Sequence, residues 1–184
     1  KAARFEAIAY QKLAAELSNV MDVGAAFLQT LKNPSAGADE QLQMRQDYSV
    51  ALIKNIAMNA STGDMALELA DGGASGLISK ALSAVATDIK ISSDQIAKLQ
   101  TLATTLAQVN AKIDAIASTP DSLTDSTQGV SALANIIRAQ GALRGDLVQA
   151  KLLDFAKGSH HDDATGANTP VTSYRSEEHT SELQ

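Results

Sequence analysis

The 184 residues carry 15 Lys and Arg against 21 Asp and Glu, a net charge of -6, with no cysteine and only 3% aromatic side chains. The missing cysteine excludes disulfides and thiolate sites, and no charge-free apolar window reaches the ~18 residues needed to span a bilayer. From Gly158 onward there are five acids and one base, so residues 1–157 hold 16 acids and 14 bases, a net of -2. That body has no basic stripe, which argues against nucleic-acid binding.

Hydrophobic residues make up 45% of the chain, and much of that is alanine. Such a composition predicts one helical domain whose core is made of many close contacts between small side chains. Residues 1–32 read as the first helix, with Phe5, Ile8, Ala9, Leu13, Leu17, Val20, Met21, Leu28 and Leu31 on a broad apolar face. Gly24 on that face predicts a bend or a close contact. Asn33-Pro34 stops the helix, because proline disfavours the helical conformation of the residue before it. A loop over 33–38 follows, and Asp39 is placed to cap the next helix by accepting backbone N–H bonds.

The second helix, 39–60, places Leu42, Tyr48, Leu52, Ile56 and Ala57 on one side. Ser61-Thr62-Gly63-Asp64 breaks it. A short helical piece over 65–70 ends at Gly72-Gly73, and Gly76 keeps the next few residues flexible.

The organising element is expected over 76–117. Its apolar residues recur at steps of three and four: Leu82, Val85, Ile89, Ile96, Leu99, Ala103, Leu106, Ile113 and Ala117. Leu102, Val109 and Ile116 widen the stripe, and only Ser92 and Asn110 interrupt it. That spacing holds one helix face against a partner for many turns. Ser92-Ser93-Asp94-Gln95 has capping-box spacing, which leaves two options open: a kink or restart there, or a polar layer at Ser92 in a continuous helix. Thr119 is expected to cap the end, with Pro120 opening a short turn, and 122–129 reads as polar linker.

A last helix over 130–157 presents Val130, Leu133, Ile137, Gly141, Gly145, Val148, Leu152 and Phe155. Its two glycines, four apart, predict a packing notch. The 118–129 linker is short enough to reverse the chain, so the long and last helices should form an antiparallel hairpin. Leu99, Leu106 and Ile113 would then face Ile137, Val148 and Leu152. The expected fold class is all-α, a helical bundle built on this long antiparallel hairpin, with no sheet.

Past Lys157 the periodicity ends, and residues 158–174 read as a disordered tail. Residues 175–184 match, codon for codon, the translation of a common sequencing adapter, and are expected to be read-through unrelated to the fold. The chain starts at Lys1 without a methionine or an apolar leader, so the 1–157 helical domain is expected to be a fragment or a trimmed protein.

The chemistry emerges mostly by exclusion. The three histidines, His160, His161 and His179, all lie outside the helical body, which removes the usual general base and imidazole ligands. His160-His161-Asp162-Asp163 reads as a solvated polar run more readily than as a chelate. No phosphate loop or nucleophile elbow occurs, and Gly72-Gly73-Ala74-Ser75-Gly76 lacks the preceding strand of a dinucleotide site. Asp64, Glu68 and Asp71 read as a solvated face. Arg144-Gly145-Asp146 spells an integrin-type tripeptide but falls mid-helix, where it cannot be presented on a loop. The reading is a non-enzymatic protein with no catalytic, cofactor-binding or metal residues and no cofactor. It would engage protein partners or self-associate through helix faces, with no nucleic acid and no integral membrane segment.

Ile113-Asp-Ala-Ile116, Thr119-Pro-Asp121 and, after a polar gap, Ala132-Leu-Ala-Asn-Ile-Ile-Arg-Ala-Gln-Gly-Ala-Leu143 with the following Gln/Ala/Leu-rich helix resemble the minor-pilin family of type IV secretion and conjugal-transfer systems. The likeness covers 96–157 and does not extend to residues 1–75. It implies two long antiparallel helices and a role in assembly and adhesion at a pilus tip, in the periplasm or outside the cell. The alternative is a cytosolic helical interaction module, phage-borne or regulatory, with no transport role.

Overall fold

The computed structural model describes residues 2–61, 64–117, 119, 123–162 and 167–170. Among them are seven helices: α1 (Ala2–Lys32), α2 (Ala38–Asn59), α3 (Met65–Leu69), α4 (Leu77–Asp88), α5 (Ser93–Asp114), α6 (Ser126–Arg144) and α7 (Asp146–Lys157). The body is all-α, as its composition requires.

α1 is the central element. Every residue over 23–31 is buried, so this stretch has neighbours on all sides. α2 folds back antiparallel on it, with Ser49 Oγ donating to the Met21 carbonyl at 3.2 Å and Arg45 reaching Gln29 Oε1 at 3.3 Å. The contact expected at Gly24 is there: a Cβ at that position would lie 3.1 Å from Leu52. α2 starts at Ala38, one residue earlier than expected, with Gly37 and not Asp39 in the capping position. It buries Tyr48, Leu52 and Ile56, while Leu42 and Ala57 from the expected face stay exposed.

The expected long helix over 76–117 is two helices folded against each other. α4 ends in a Schellman turn, where Ile91 N–H reaches the Ala86 carbonyl at 2.9 Å and Lys90 N–H the Thr87 carbonyl at 3.1 Å. Lys90 takes the left-handed conformation this needs, at φ 58°. Ser92 then starts α5 in extended conformation, its hydroxyl bonded to the Gln95 side chain at 2.8 Å. The Ser92 signal therefore marks a full reversal. Ser79 lies 3.3 Å from Gln100 across the resulting antiparallel pair.

The last helix also begins and breaks at positions the apolar pattern did not indicate. Asp125 and Gln128 form a reciprocal capping box, so α6 starts inside the expected linker, and the linker's Leu123 is fully buried. Gly145 interrupts the helix and starts α7. Gly141 is no notch, since a Cβ there would meet nothing within 4 Å.

The expected hairpin is modified by α1. α5 and the α6–α7 arm do run antiparallel, and Lys98 Nζ donates to the Ala156 carbonyl at 2.8 Å near the far end. Each, however, packs more extensively on α1 than on the other. α6 is parallel to α1, with Gly129 beside Arg4 at one end and Arg144 paired with Asp22 at 2.7 Å at the other. α6 buries Ala132, Ile136 and Leu143 against this core, one position away from the expected Val130, Leu133 and Ile137. Leu99, Leu106, Ile113 and Leu152 are buried as expected, whereas Ile137 is 68% exposed.

Past the all-α body, two short strands lie within the expected 158–174 tail. β1 (Ser159–Asp162) pairs antiparallel with β2 (Ala167–Pro170), Ser159 opposite Pro170 and Asp162 opposite Ala167. Gly158, at φ 80°, ends α7 in left-handed conformation and turns the chain into this ribbon. A backbone ladder needs no apolar periodicity, which is why the polar sequence gave no sign of it. Residues 171–184, including the adapter-like 175–184, lie outside the described residues.

Candidate functional site

Two features stand out from an otherwise apolar bundle: a polar cluster inside it and an apolar groove on its surface.

The polar cluster begins with Lys12, Glu16 and Asn19, spaced four and three apart and hence on one face of α1, turned toward Asn110 and Asp114 of α5. Lys12 covers the end of α5, donating to the Asp114 and Ile116 carbonyls and pairing with the Asp114 carboxylate at 3.3 Å. A cation at a helix C-terminus is favoured by the unpaired carbonyls and the helix dipole. Asn19 donates to Asn110 Oδ1 at 3.2 Å, and Asn110 donates in turn to the Leu69 carbonyl at 3.2 Å, tying α1, α5 and α3 together.

Glu16 sits inside this chain of bonds without joining it. It is 0% exposed, and neither of its carboxylate oxygens has a hydrogen-bond partner among the described residues. Burial, then the negative charge of Asp114, push its pKa up to about 8; Lys12 opposes the rise and Asp64 adds to it. At neutral pH the side chain is therefore mainly the uncharged acid, the form a buried site tolerates. Among the described residues no group of three or more His, Cys, Asp and Glu is placed to hold a metal ion.

The groove lies between the parallel helices α1 and α6. It has a volume of about 330 Å³ and is lined by Arg4, Ala7, Ile8, Gln11, Ser126, Gly129, Val130 and Leu133. Small side chains at Ala7, Ser126 and Gly129 form it, and the Arg4 stem fills the space a Cβ on Gly129 would need. Val130 and Ile137, 66% and 68% exposed, continue it along α6.

Among the described residues the motifs singled out in the sequence do not assemble into a site. Asp64 caps α3 by accepting from Leu67 N–H, Glu68 accepts from Ser61, and Asp71 accepts from Gly73 N–H, so these acids form turns. The Gly72–Gly76 stretch is a tight connection: a Cβ on Gly76 would collide with the Asp71 carbonyl oxygen. Arg144-Gly145-Asp146 lies at the α6–α7 break and not mid-helix, but Arg144 is turned onto α1, bonded to Ser18 and Asp22. His160, His161 and Asp162 lie on β1, their side chains outside what the structure describes, as is the whole of Asp163.

Glu16 escaped the sequence reading because Leu13 and Leu17 define the stronger apolar phase, and both turn out half-buried. The available signal was Lys12, Glu16 and Asn19 at helical spacing among Ile8, Ala15, Val20 and Val23. The fold is that of an all-α helix-packing protein. No protein-family model matches the chain, and no curated protein or solved structure matches it significantly.

Proposed function

We propose that this chain is a non-enzymatic structural and interaction protein, a pilus-associated component of a type IV secretion or conjugal transfer apparatus. The observation that carries the interaction reading is the α1–α6 groove, where Val130, Leu133 and Ile137 stand at helical spacing on a face the core does not use. The occupant that fits is an amphipathic helix of a partner protein, with apolar anchors and acidic flanks. The groove lining contains Arg4 and no acid, and the exposed Arg138 follows Ile137. The transfer context rests on the resemblance of 96–157 to minor pilins, which implies the periplasm or the cell exterior; the cytosolic alternative implies the cytoplasm.

A photo-reactive residue at Ile137, in a host carrying a conjugal transfer apparatus, tests both levels. Cross-links to apparatus components, lost together with transfer when Leu133→Glu is added, are the expected result. Cross-links to cytosolic proteins alone, with transfer unchanged, would select the cytosolic interaction module instead. No cross-link to any protein would refute the groove as a docking site.

A further inference from the structure

We propose that the outer face of α2 is a two-fold interface between two copies of this chain, packed antiparallel about Val50. The face around Val50 is exposed: Val50 is 65% and Ile53 38% accessible, and Gln46, Asp47, Lys54 and Ala57 beside them are exposed as well. Asp47, Val50 and Lys54 lie three and four apart, on one row, and Gln46, Val50, Ile53 and Ala57 form the row beside it.

Reversing α2 on itself about Val50 makes these rows self-complementary. The residue three before the axis in one copy meets the residue four after it in the other. Asp47 then faces Lys54 twice, on the same side of the contact. On the opposite side, Ile53 of each copy comes over Gln46 of the other. Gln46 borders a cavity of about 450 Å³ between α1 and α2, lined with Asp22, Arg45, Ser49 and Val50, which gives Ile53 a recess to enter. Val50 meets its own copy on the axis.

The charges argue for a second copy as the occupant. Within one chain Asp47 accepts only a hydrogen bond from Gln43, at 2.9 Å, and Lys54 has no partner among the described residues. α2 run in reverse sets a cation opposite Asp47 and an anion opposite Lys54, on either side of Val50. An isologous contact of this kind closes after two subunits. It uses a different face from the α1–α6 groove and stands whatever occupies that groove. The contact is small, so its affinity belongs to the weak end of specific interfaces.

Sedimentation of the whole chain at rising concentration, up to about 0.1 mM, should show a monomer–dimer equilibrium. Asp47→Lys and Lys54→Asp should each weaken it at least about tenfold, because each sets like charges face to face, and the two together should restore it. Both substitutions are at exposed sites, and circular dichroism checks that each variant folds. The chain has no cysteine, so Val50→Cys supplies a single thiol on the axis. A short bis-maleimide should join it into a covalent dimer, while Leu67→Cys, exposed on α3, should stay monomeric. A monomer throughout the concentration range would overturn the proposal. So would a dimer that neither charge substitution weakens and Val50→Cys does not trap, since the contact would then lie elsewhere.

Discussion

Glu16 is the residue where local chemistry has the widest consequence. Its pKa, about 8 in the folded chain against an ordinary 4.5, means the native state binds its proton more tightly than the unfolded chain does. The stabilisation is therefore complete below the unfolded value and is lost as pH rises through the folded one, at no more than about 1.4 kcal/mol per pH unit. Chemical denaturation of the wild type should give a stability that declines from mildly acidic to mildly alkaline pH. Glu16→Gln, which keeps the shape and removes the titration, should flatten that decline. Parallel curves for the two proteins would show that the carboxyl group is hydrated in solution. Nothing in the sequence flags Glu16 as titrating near 8, because a Glu at helical spacing is ordinarily solvated. Its burial needs α1 to be enclosed, and that enclosure comes from residues about a hundred positions away.

Among the elements, the α4–α5 reversal was the least legible. Ile89 and Ile96 keep the apolar rhythm going through the turn, and the left-handed position is filled by Lys90 where glycine is usual. Only Ser92, with Gln95 three residues on, signalled a boundary. A lysine held at φ 58° is strained relative to glycine, so Lys90→Gly should raise stability by about 1 kcal/mol. Thermal melting checks this, and a clear loss of stability would mean that Lys90 contributes more as a side chain than its backbone costs. The α6 start was more legible than the apolar reading made it. Asp125 with Gln128 is a capping-box pair, obscured because the first apolar residue on the expected face is Val130.

For the whole molecule, the separation between core and surface on α6 can be measured directly. Leu106, 0% exposed between the packed helices, should lose about 2–5 kcal/mol on replacement by alanine. Ile137→Ala should change stability by less than about 0.5 kcal/mol, because that side chain is exposed. Equal losses at the two sites would mean that α6 turns its other face to the core. The apolar periodicity of α6 could not decide this, since Val130, Leu133 and Ile137 make as good a stripe as Ala132, Ile136 and Leu143. What selects the second set is the close approach of α6 to α1, which Gly129 and the small Ala132 allow.

The sequence by itself determined the all-α class, the extents of α1 and α2, the break before α3, and the burial of Leu99, Leu106 and Ile113. Each of these follows from local propensity, from glycine and proline stops, or from a stripe with no rival phase. Tertiary structure alone decided which of two apolar faces α6 buries, that α4 and α5 fold back on each other, and that Glu16 lies in the interior. Helical periodicity specifies that a face is buried but not what covers it. A helix enclosed on several sides, as α1 is, hides polar residues that would be solvated on any helix with one free face.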